Sequence, residues 1–514
     1  MNLGKEHFIG SLAIIFFAAL GLRFLYFSAA RAGPLGNVDS AEYEALASSF
    51  TEHKPYGGAI GIGGFPSDLQ RPPGYPFFLA FVRSNFGIGR THVAVVQCVL
   101  DSLFTTLLVI AGSFLINEFA GLVAGIVYAT DWATIIYTPS TLADSLLAVI
   151  LGAAICLQAF AVQRRSSYLS LSAGLFLGLA VLVKPVGQVV VIAFLLAWIL
   201  QRDRRAASLL FLVTYIACVG PWMARNYLRY GLATVSTIST TNLFLYTAEA
   251  SAHPHSIADI SSSGLDEDLG GINIQWRSFA LSPPERELRM EHEALSLIRQ
   301  HWPTMIWQAG IGFTRTCLGT GLVTVRQSFS HPLGRSGTVL LSGLAFVQII
   351  ALWLLASIAF VGESSTLNRA VLVLLGLCVL CLVLPAASSV GQSRFRVPAA
   401  PPLSLLAGVG AAVLRERKIK STLGAHRFRS SSIGMKSLRF RGKKTKSRCL
   451  TAATDLWRVL RVREDEIGLM EAKIERPGGF ANFSPGREKQ YRQALRCARF
   501  RNSPRSQPMP ADKS

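Results

Sequence analysis

Thr141-Leu-Ala-Asp144-Ser-Leu-Leu-Ala-Val-Ile-Leu-Gly-Ala-Ala-Ile-Cys-Leu-Gln-Ala-Phe-Ala-Val162 is a 22-residue run with one charged group, Asp144, close to its start. A membrane-spanning helix needs about 20 mostly apolar residues to cross roughly 30 Å of hydrocarbon, and this run suffices. Nine further segments qualify: 8–29, 90–115, 119–138, 168–184, 186–200, 207–224, 337–361, 367–387 and 397–414. The expectation is an all-α polytopic membrane protein of about ten spans. The pair 168–184 and 186–200 is short and joined at Lys184-Pro185, which is compatible with a tight re-entrant hairpin.

Composition agrees. Of 514 residues, 51% are hydrophobic and 16% charged, with a mean hydropathy of +0.39; soluble domains carry roughly 25% charge. Disordered chains, coiled coils and soluble nucleic-acid-binding folds are excluded. In the first span, Lys5 precedes the apolar run and Ala30-Arg31-Ala32 resembles a leader cleavage site, but the run is too long for a leader core. A retained helix is the expectation.

The net charge of +21 is unevenly placed. Residues 415–514 hold 26 Lys+Arg and 9 Asp+Glu, a net of +17, which leaves +4 for the first 414. The sequence thus divides into a nearly neutral membrane body, 1–414, and a basic, largely disordered tail, 415–514. Arg164-Arg165, the Arg202/Arg204/Arg205 cluster and Arg415–Lys420 fall on one side if ten spans alternate. Lys/Arg bias makes that side cytoplasmic and puts both termini there. Outer loops then cover about 30–89 and 225–336. Arg71, Arg225, Arg394 and Arg396 sit on the disfavoured outer side, where a basic residue beside membrane wants an anionic partner.

In the first outer loop, Asn37 or Asp39 can cap a short surface helix whose apolar stripe is Leu46, Ala47 and Phe50. Glu42 and Tyr43 lie one turn on, near the face of Asp39. A carboxylate there can take a proton, though capping alone also explains an aspartate at a helix start. Gln70-Arg71-Pro72-Pro73-Gly74-Tyr75-Pro76 is a stiff lead into a second surface helix and fixes Arg71, whose guanidinium suits a phosphate. Asp131, in Ala129-Thr130-Asp131-Trp132, is an ionisable group near a span end, a functional candidate or the partner of an arginine. Of the eight cysteines, six sit in or near spans; Cys378 and Cys381 read as buried small hydrophobes. No His/Cys/Asp cluster has metal-ligand spacing; His253 and His255 read as a solvated turn.

These motifs, in order, resemble glycosyltransferase family 39 of the multispanning GT-C superfamily, which includes protein O-mannosyltransferases and bacterial aminoarabinose and lipopolysaccharide-core sugar transferases. Asp39-x-x-Glu42-Tyr43-x-x-Leu46-Ala47 and Arg71-Pro72-Pro73-Gly74-Tyr75-Pro76 look like that family's first periplasmic loop. Thr138-Pro139-Ser140-Thr141-Leu142-Ala143-Asp144 resembles its second-loop acidic motif, and Val183-Lys184-Pro185-x-Gly187 its "lTRPeG" segment. Gly220-Pro221-Trp222-x-x-Arg225-Asn226-Tyr227-x-x-Tyr230-Gly231 is the most specific match, to "PWxxRNYxxFG". Glu293–His301 resembles the amphipathic segment after the large loop, and Arg394-Phe395-Arg396-x-Pro398 the "RYRxP" lead into the last span.

The resemblance spans residues 8–414 and implies transfer of a sugar from a polyprenyl-phosphate carrier to an acceptor on the outer face of the plasma membrane. Asp39 matches the catalytic aspartate and Asp144 the second-loop acid. Arg71 aligns with a basic residue that contacts the carrier phosphate, with Arg225, Arg394 and Arg396 as supporting candidates. Glu42, Tyr43 and Asp131 are substrate-side candidates. Ser40 departs from the pattern, standing where many relatives carry a second acid. The resemblance therefore names no certain cofactor and leaves a divalent metal open. It names neither sugar nor acceptor, which can be lipid, glycan or protein. The competing class is a transporter or carrier-lipid-binding protein without transferase activity; transporters tend to carry inverted repeats and paired broken spans, and only one break, at Lys184-Pro185, is visible. The polybasic 415–450 segment suits anionic lipid, a helix is expected over 455–474, and no motif points to nucleic acid.

Overall fold

The computed structural model describes residues 5–30, 38–58, 60–199, 205–252, 280–321, 335–362, 367–389 and 391–437. The His253/His255 turn, the 455–474 helix and most of the polybasic tail lie outside them. The chain divides into two units between Thr422 and Leu423. The first unit holds the membrane body.

That body is helical throughout, with one isolated bridge, Ile60 to Pro66, among the described residues. Its helices are α1 (Lys5–Ala29), α2 (Val38–Thr51), α3 (Ser67–Gln70), α4 (Gly74–Phe86), α5 (Arg90–Leu115), α6 (Glu118–Thr130), α7 (Trp132–Tyr137), α8 (Ala143–Arg164), α9 (Ser167–Val183), α10 (Val190–Ile199), α11 (Arg205–Tyr230), α12 (Ile238–Ala252), α13 (Pro283–Gln300), α14 (Trp302–Leu318), α15 (Arg335–Val361), α16 (Arg369–Val383) and α17 (Ala400–Ser437). Among the described residues seven helices are long and apolar enough to span, namely α1, α5, α8, α11, α15, α16 and α17, and three shorter apolar ones cover Glu118–Thr130, Ser167–Val183 and Pro185–Ile199. Together these occupy the ten segments read from the sequence.

One of those segments is broken inside, and the expected joint between two others is a true break. The expected span 119–138 stops at Asp131, whose carboxylate accepts from the Thr134 N–H at 2.9 Å and so caps a new helix, α7. An aspartate between two apolar runs supplies the acceptor that a fresh helix start lacks. The second break is at Lys184-Pro185. Proline disfavours helical backbone in the residue before it, and Lys184 is extended (φ −152°, ψ 125°). Beyond the turn Pro185–Val189 the chain resumes as α10. The flanking helices are not a self-packed hairpin: α9 lies mainly on α8 and α11, and α10 mainly on α16. At the other end of the body, α17 continues through Arg415 to Ser437, so the change of composition there is not a break in the helix.

Both helices expected between the first two spans form. α2 packs on α4, with Tyr43 and Tyr75 edge to face at 4.9 Å. The Pro72-Pro73-Gly74 turn brings the start of α4 onto the last turn of α9. A Cβ on Gly74 would meet Leu182 backbone atoms at 2.7 Å, so only glycine permits this approach. A buried pair, Arg23 with Asp101, ties α1 to α5, and Tyr128 donates to the same aspartate at 2.7 Å. After the large loop, α13 begins with a Ser282/Glu285 capping box.

Candidate active site

Five separated stretches bring charge to one place. Arg71, leading into α4, donates from Nη2 to Asp39 Oδ1 at 2.6 Å and from Nε to Glu42 Oε2 at 2.7 Å. Its guanidinium lies 5.1 Å from the Tyr43 ring centroid. Arg394, before α17, donates from Nη2 to the other oxygen of Asp39 at 2.8 Å. Its Nε faces Asp144 Oδ2 at 3.4 Å without hydrogen-bond alignment. Lys184, at the α9 break, donates to Asp144 Oδ1 at 2.5 Å. Three cations thus face three carboxylates.

Neighbours fix these groups from behind. Tyr56 donates to the Arg71 carbonyl at 2.9 Å, and Gln70 donates to Ile62 O at 2.6 Å and Thr241 Oγ1 at 3.2 Å. Ser40 is buried and donates to Thr141 O at 2.9 Å. A carboxylate at position 40 could not make that bond, so the departure from the family pattern ties α2 to the second loop. Gln97 donates to Thr138 O and Ser140 O at 2.6 and 2.8 Å, holding the same loop ahead of Asp144.

Asp39, Arg71, Asp144, Lys184 and Arg394 of the cluster line a cavity of about 830 Å³. The remaining wall is mostly apolar, from Val186 and Val189 after the α9 break, Leu243 and Tyr246 of α12, Ile298 of α13, Met305 of α14 and Leu382 of α16. Burial pushes the Asp39 carboxyl up, but the guanidiniums of Arg71 and Arg394 outweigh it and hold it well below the ordinary aspartate value. Burial pushes the hydroxyls of Tyr43 and Tyr246 up to about 12, so both stay protonated donors. Among the described residues no group of three or more His, Cys, Asp or Glu is placed to hold a metal.

Asp39, Glu42, Tyr43, Arg71, Asp144 and Arg394 therefore come together. Arg225, Arg396 and Asp131 do not join them. Arg225 pairs with Asp68 of α3, donates to Tyr56 O at 3.2 Å and stacks on Trp222 at 4.6 Å. With Arg229 and Tyr230 also on Asp68, the Trp222–Tyr230 motif acts as a brace for the segment that carries Arg71. Arg396 is fully buried, and its Nη1 donates to Thr316 O, Cys317 O and Gly319 O at the end of α14. Its Nη2 is 3.9 Å from Asp131, which is itself the α7 cap. Those two groups hold the helix ends that surround the site. Lys184 and Asp68 do not stand out as site residues in the sequence. The tolerance of a lysine before Pro185 in an apolar stretch is the available signal for the first; a lone Asp68 between Ser67 and Leu69 gives none.

Residues 70–224 match the family model described as dolichyl-phosphate-mannose-protein mannosyltransferase. That segment holds Arg71, Asp144 and Lys184, with Asp39 and Arg394 outside it. The apo crystal structure of the Archaeoglobus fulgidus oligosaccharyltransferase has a TM-score of 0.50 at 16% identity, covering 89% of this chain and 54% of that one. The chain has a GT-C fold. The chain spans about half the length of that oligosaccharyltransferase. Two further similar structures are the Archaeoglobus fulgidus AglB in complex with an inhibitory peptide and a dolichol-phosphate (TM-score 0.49, 14% identity, 89% and 54% covered), and ArnT from Cupriavidus metallidurans bound to undecaprenyl phosphate (0.33, 13%, 79% and 77%). No curated protein matches the sequence.

Proposed function

We propose that this multi-pass membrane protein is a glycosyltransferase that moves a sugar from a polyprenyl-phosphate carrier to an acceptor hydroxyl on a lipid, glycan or protein, at the extracytoplasmic face of the plasma membrane. The observation that carries the reading is a charge cluster lining a cavity whose remaining wall is mostly apolar. The apolar part suits isoprene units. Arg71, Arg394 and Lys184 suit the phosphate, and Asp39 is the base candidate. Asp144 holds Lys184 and Arg394 in place, and Glu42 and Tyr43 hold Arg71. In the reaction the acceptor oxygen bonds to the anomeric carbon as the bond from that carbon to the phosphate oxygen breaks. The electron pair leaves with the phosphate, and the hydroxyl proton goes to Asp39. Inversion at the anomeric carbon is the expected outcome.

The helix directions support an outer-face site. α8 carries Asp144 at one end and runs to Arg164-Arg165 at the other, roughly 30 Å away at 1.5 Å per residue. Arg394 precedes α17, while Arg415, Arg417 and Lys418 follow its apolar part. Basic ends opposite the cluster belong on the cytoplasmic side by the Lys/Arg bias, and both termini go with them. The basic tail then faces anionic lipid.

The test is transfer from a radiolabelled polyprenyl-phosphate sugar in membranes containing the chain. Transfer should depend on the chain and fall steeply in an Arg71→Ala/Arg394→Ala variant at equal protein level. Equal transfer with and without the chain would remove the enzymatic reading.

A further inference from the structure

Asp39 makes two charge-assisted bonds, one per carboxylate oxygen, to two guanidiniums from distant parts of the chain: Nη2 of Arg71 at 2.6 Å and Nη2 of Arg394 at 2.8 Å. An arginine pair presented in this way is a receptor for one tetrahedral or planar oxyanion. In this structure the oxyanion on the pair is the base itself. Arg394 also keeps an unsatisfied Nε, and Asp144 Oδ2 beside it has no hydrogen-bond partner, so the network is closed by charge but not saturated by hydrogen bonds.

We infer that Asp39 is a place-holder for the carrier phosphate: the entering phosphate takes over Arg71 and Arg394, and the carboxylate so released becomes the working base. This rests on the phosphate reading above and adds an order of events to it. With both arginines on it, Asp39 is a poor proton acceptor, held below the ordinary carboxylate range. Removing one or both cations while burial remains moves it toward greater basicity, so the base becomes competent only when the leaving group is in place. Charge also balances. The three cations and three carboxylates sum to zero before binding, and a phosphodiester adds one negative charge. During transfer the departing phosphate gains a second negative charge as Asp39 gains the acceptor proton, so the net charge of the site stays the same. When the carrier leaves, Asp39 gives up its proton and returns to the arginines.

The experiment measures binding of undecaprenyl phosphate to the purified full chain in detergent, for the native protein and for Asp39→Asn, Asp39→Ala and Arg394→Ala. If Asp39 competes with the phosphate, Asp39→Asn should bind the lipid phosphate about tenfold or more tightly than the native chain, the scale of one lost charge-assisted hydrogen bond, while Arg394→Ala binds it more weakly. A merely structural Asp39 would change affinity in the opposite direction. Unchanged or weaker binding by both Asp39 variants, with Arg394→Ala still weakened, overturns the place-holder and leaves the phosphate site standing. No effect of Arg394→Ala, or no binding by the native chain, overturns both. The native protein gives a second readout that needs no folded variant: isotope-edited infrared bands of aspartate carboxylates should shift when undecaprenyl phosphate is added, and an unchanged spectrum with bound lipid refutes the exchange.

Discussion

Asp144→Asn gives the sharpest stability test, because this carboxylate is only 1% exposed and faces two cations, Lys184 at 2.5 Å and Arg394 at 3.4 Å. Removing its charge leaves both cations next to an apolar cavity. Breaking a fully buried pair costs about 3–5 kcal/mol; Lys184 keeps 18% of its side chain exposed, which places the expectation at the lower end, about 3 kcal/mol. Lys184→Met should cost less, about 2 kcal/mol, since Arg394 still faces Asp144. The double variant has no uncompensated charge between the two positions, so its loss should be about 3 kcal/mol rather than the additive 5, a coupling of about 2 kcal/mol. The assay is unfolding in mixed micelles of mild detergent and dodecyl sulfate, followed by circular dichroism. Additive losses, or an Asp144→Asn variant within about 0.5 kcal/mol of native, would refute the idea that this pair closes the charged end of the cavity.

Gly74→Ala should lower transfer by about a hundredfold, since the new methyl forces α4 off α9 and moves Arg71 by an ångström or so; thermal stability should also fall, and unchanged kinetics would show that the close approach is not what positions Arg71. Arg396→Met should destabilise the chain by about 3 kcal/mol in the same unfolding assay while leaving lipid-phosphate affinity within twofold of native for the folded fraction; a selective loss of affinity would return Arg396 to the phosphate site. Asp39 has a folded-state pKa below its ordinary 3.8, so its contribution to stability is present above that value and is lost as pH falls below about 4. Asp39→Asn should lack that part of the acid limb, and identical acid limbs would contradict the ion pairing.

The spans could be read from the sequence because lipid demands long apolar runs, and a run is a local property. The breaks were harder. Segment 119–138 is apolar on both sides of Asp131, so hydropathy alone does not separate an aspartate carried inside a helix from one that caps the next. The site was half legible. Asp39, Arg71 and Arg394 stand beside prolines or helix starts, where an exposed charge at a membrane edge asks for an explanation. Arg225 and Arg396 ask the same question from similar positions, and only the fold shows that Arg225 is paired with Asp68 and that Nη1 of Arg396 is taken up by carbonyls at the end of α14. Lys184 was hidden inside a motif read as a turn, because its partner Asp144 is brought to it by helix packing and not by spacing.

Whether Asp39 accepts the acceptor proton during sugar transfer is met most directly by transfer rates of Asp39→Asn and Asp39→Ala in membranes. Radiolabelled polyprenyl-phosphate sugar would be supplied at saturating concentration and protein levels matched. Loss of a general base should lower the turnover rate of both variants by at least about a hundredfold, with the carrier still bound. Turnover equal to the native rate in either variant would contradict the assignment of Asp39 as the base.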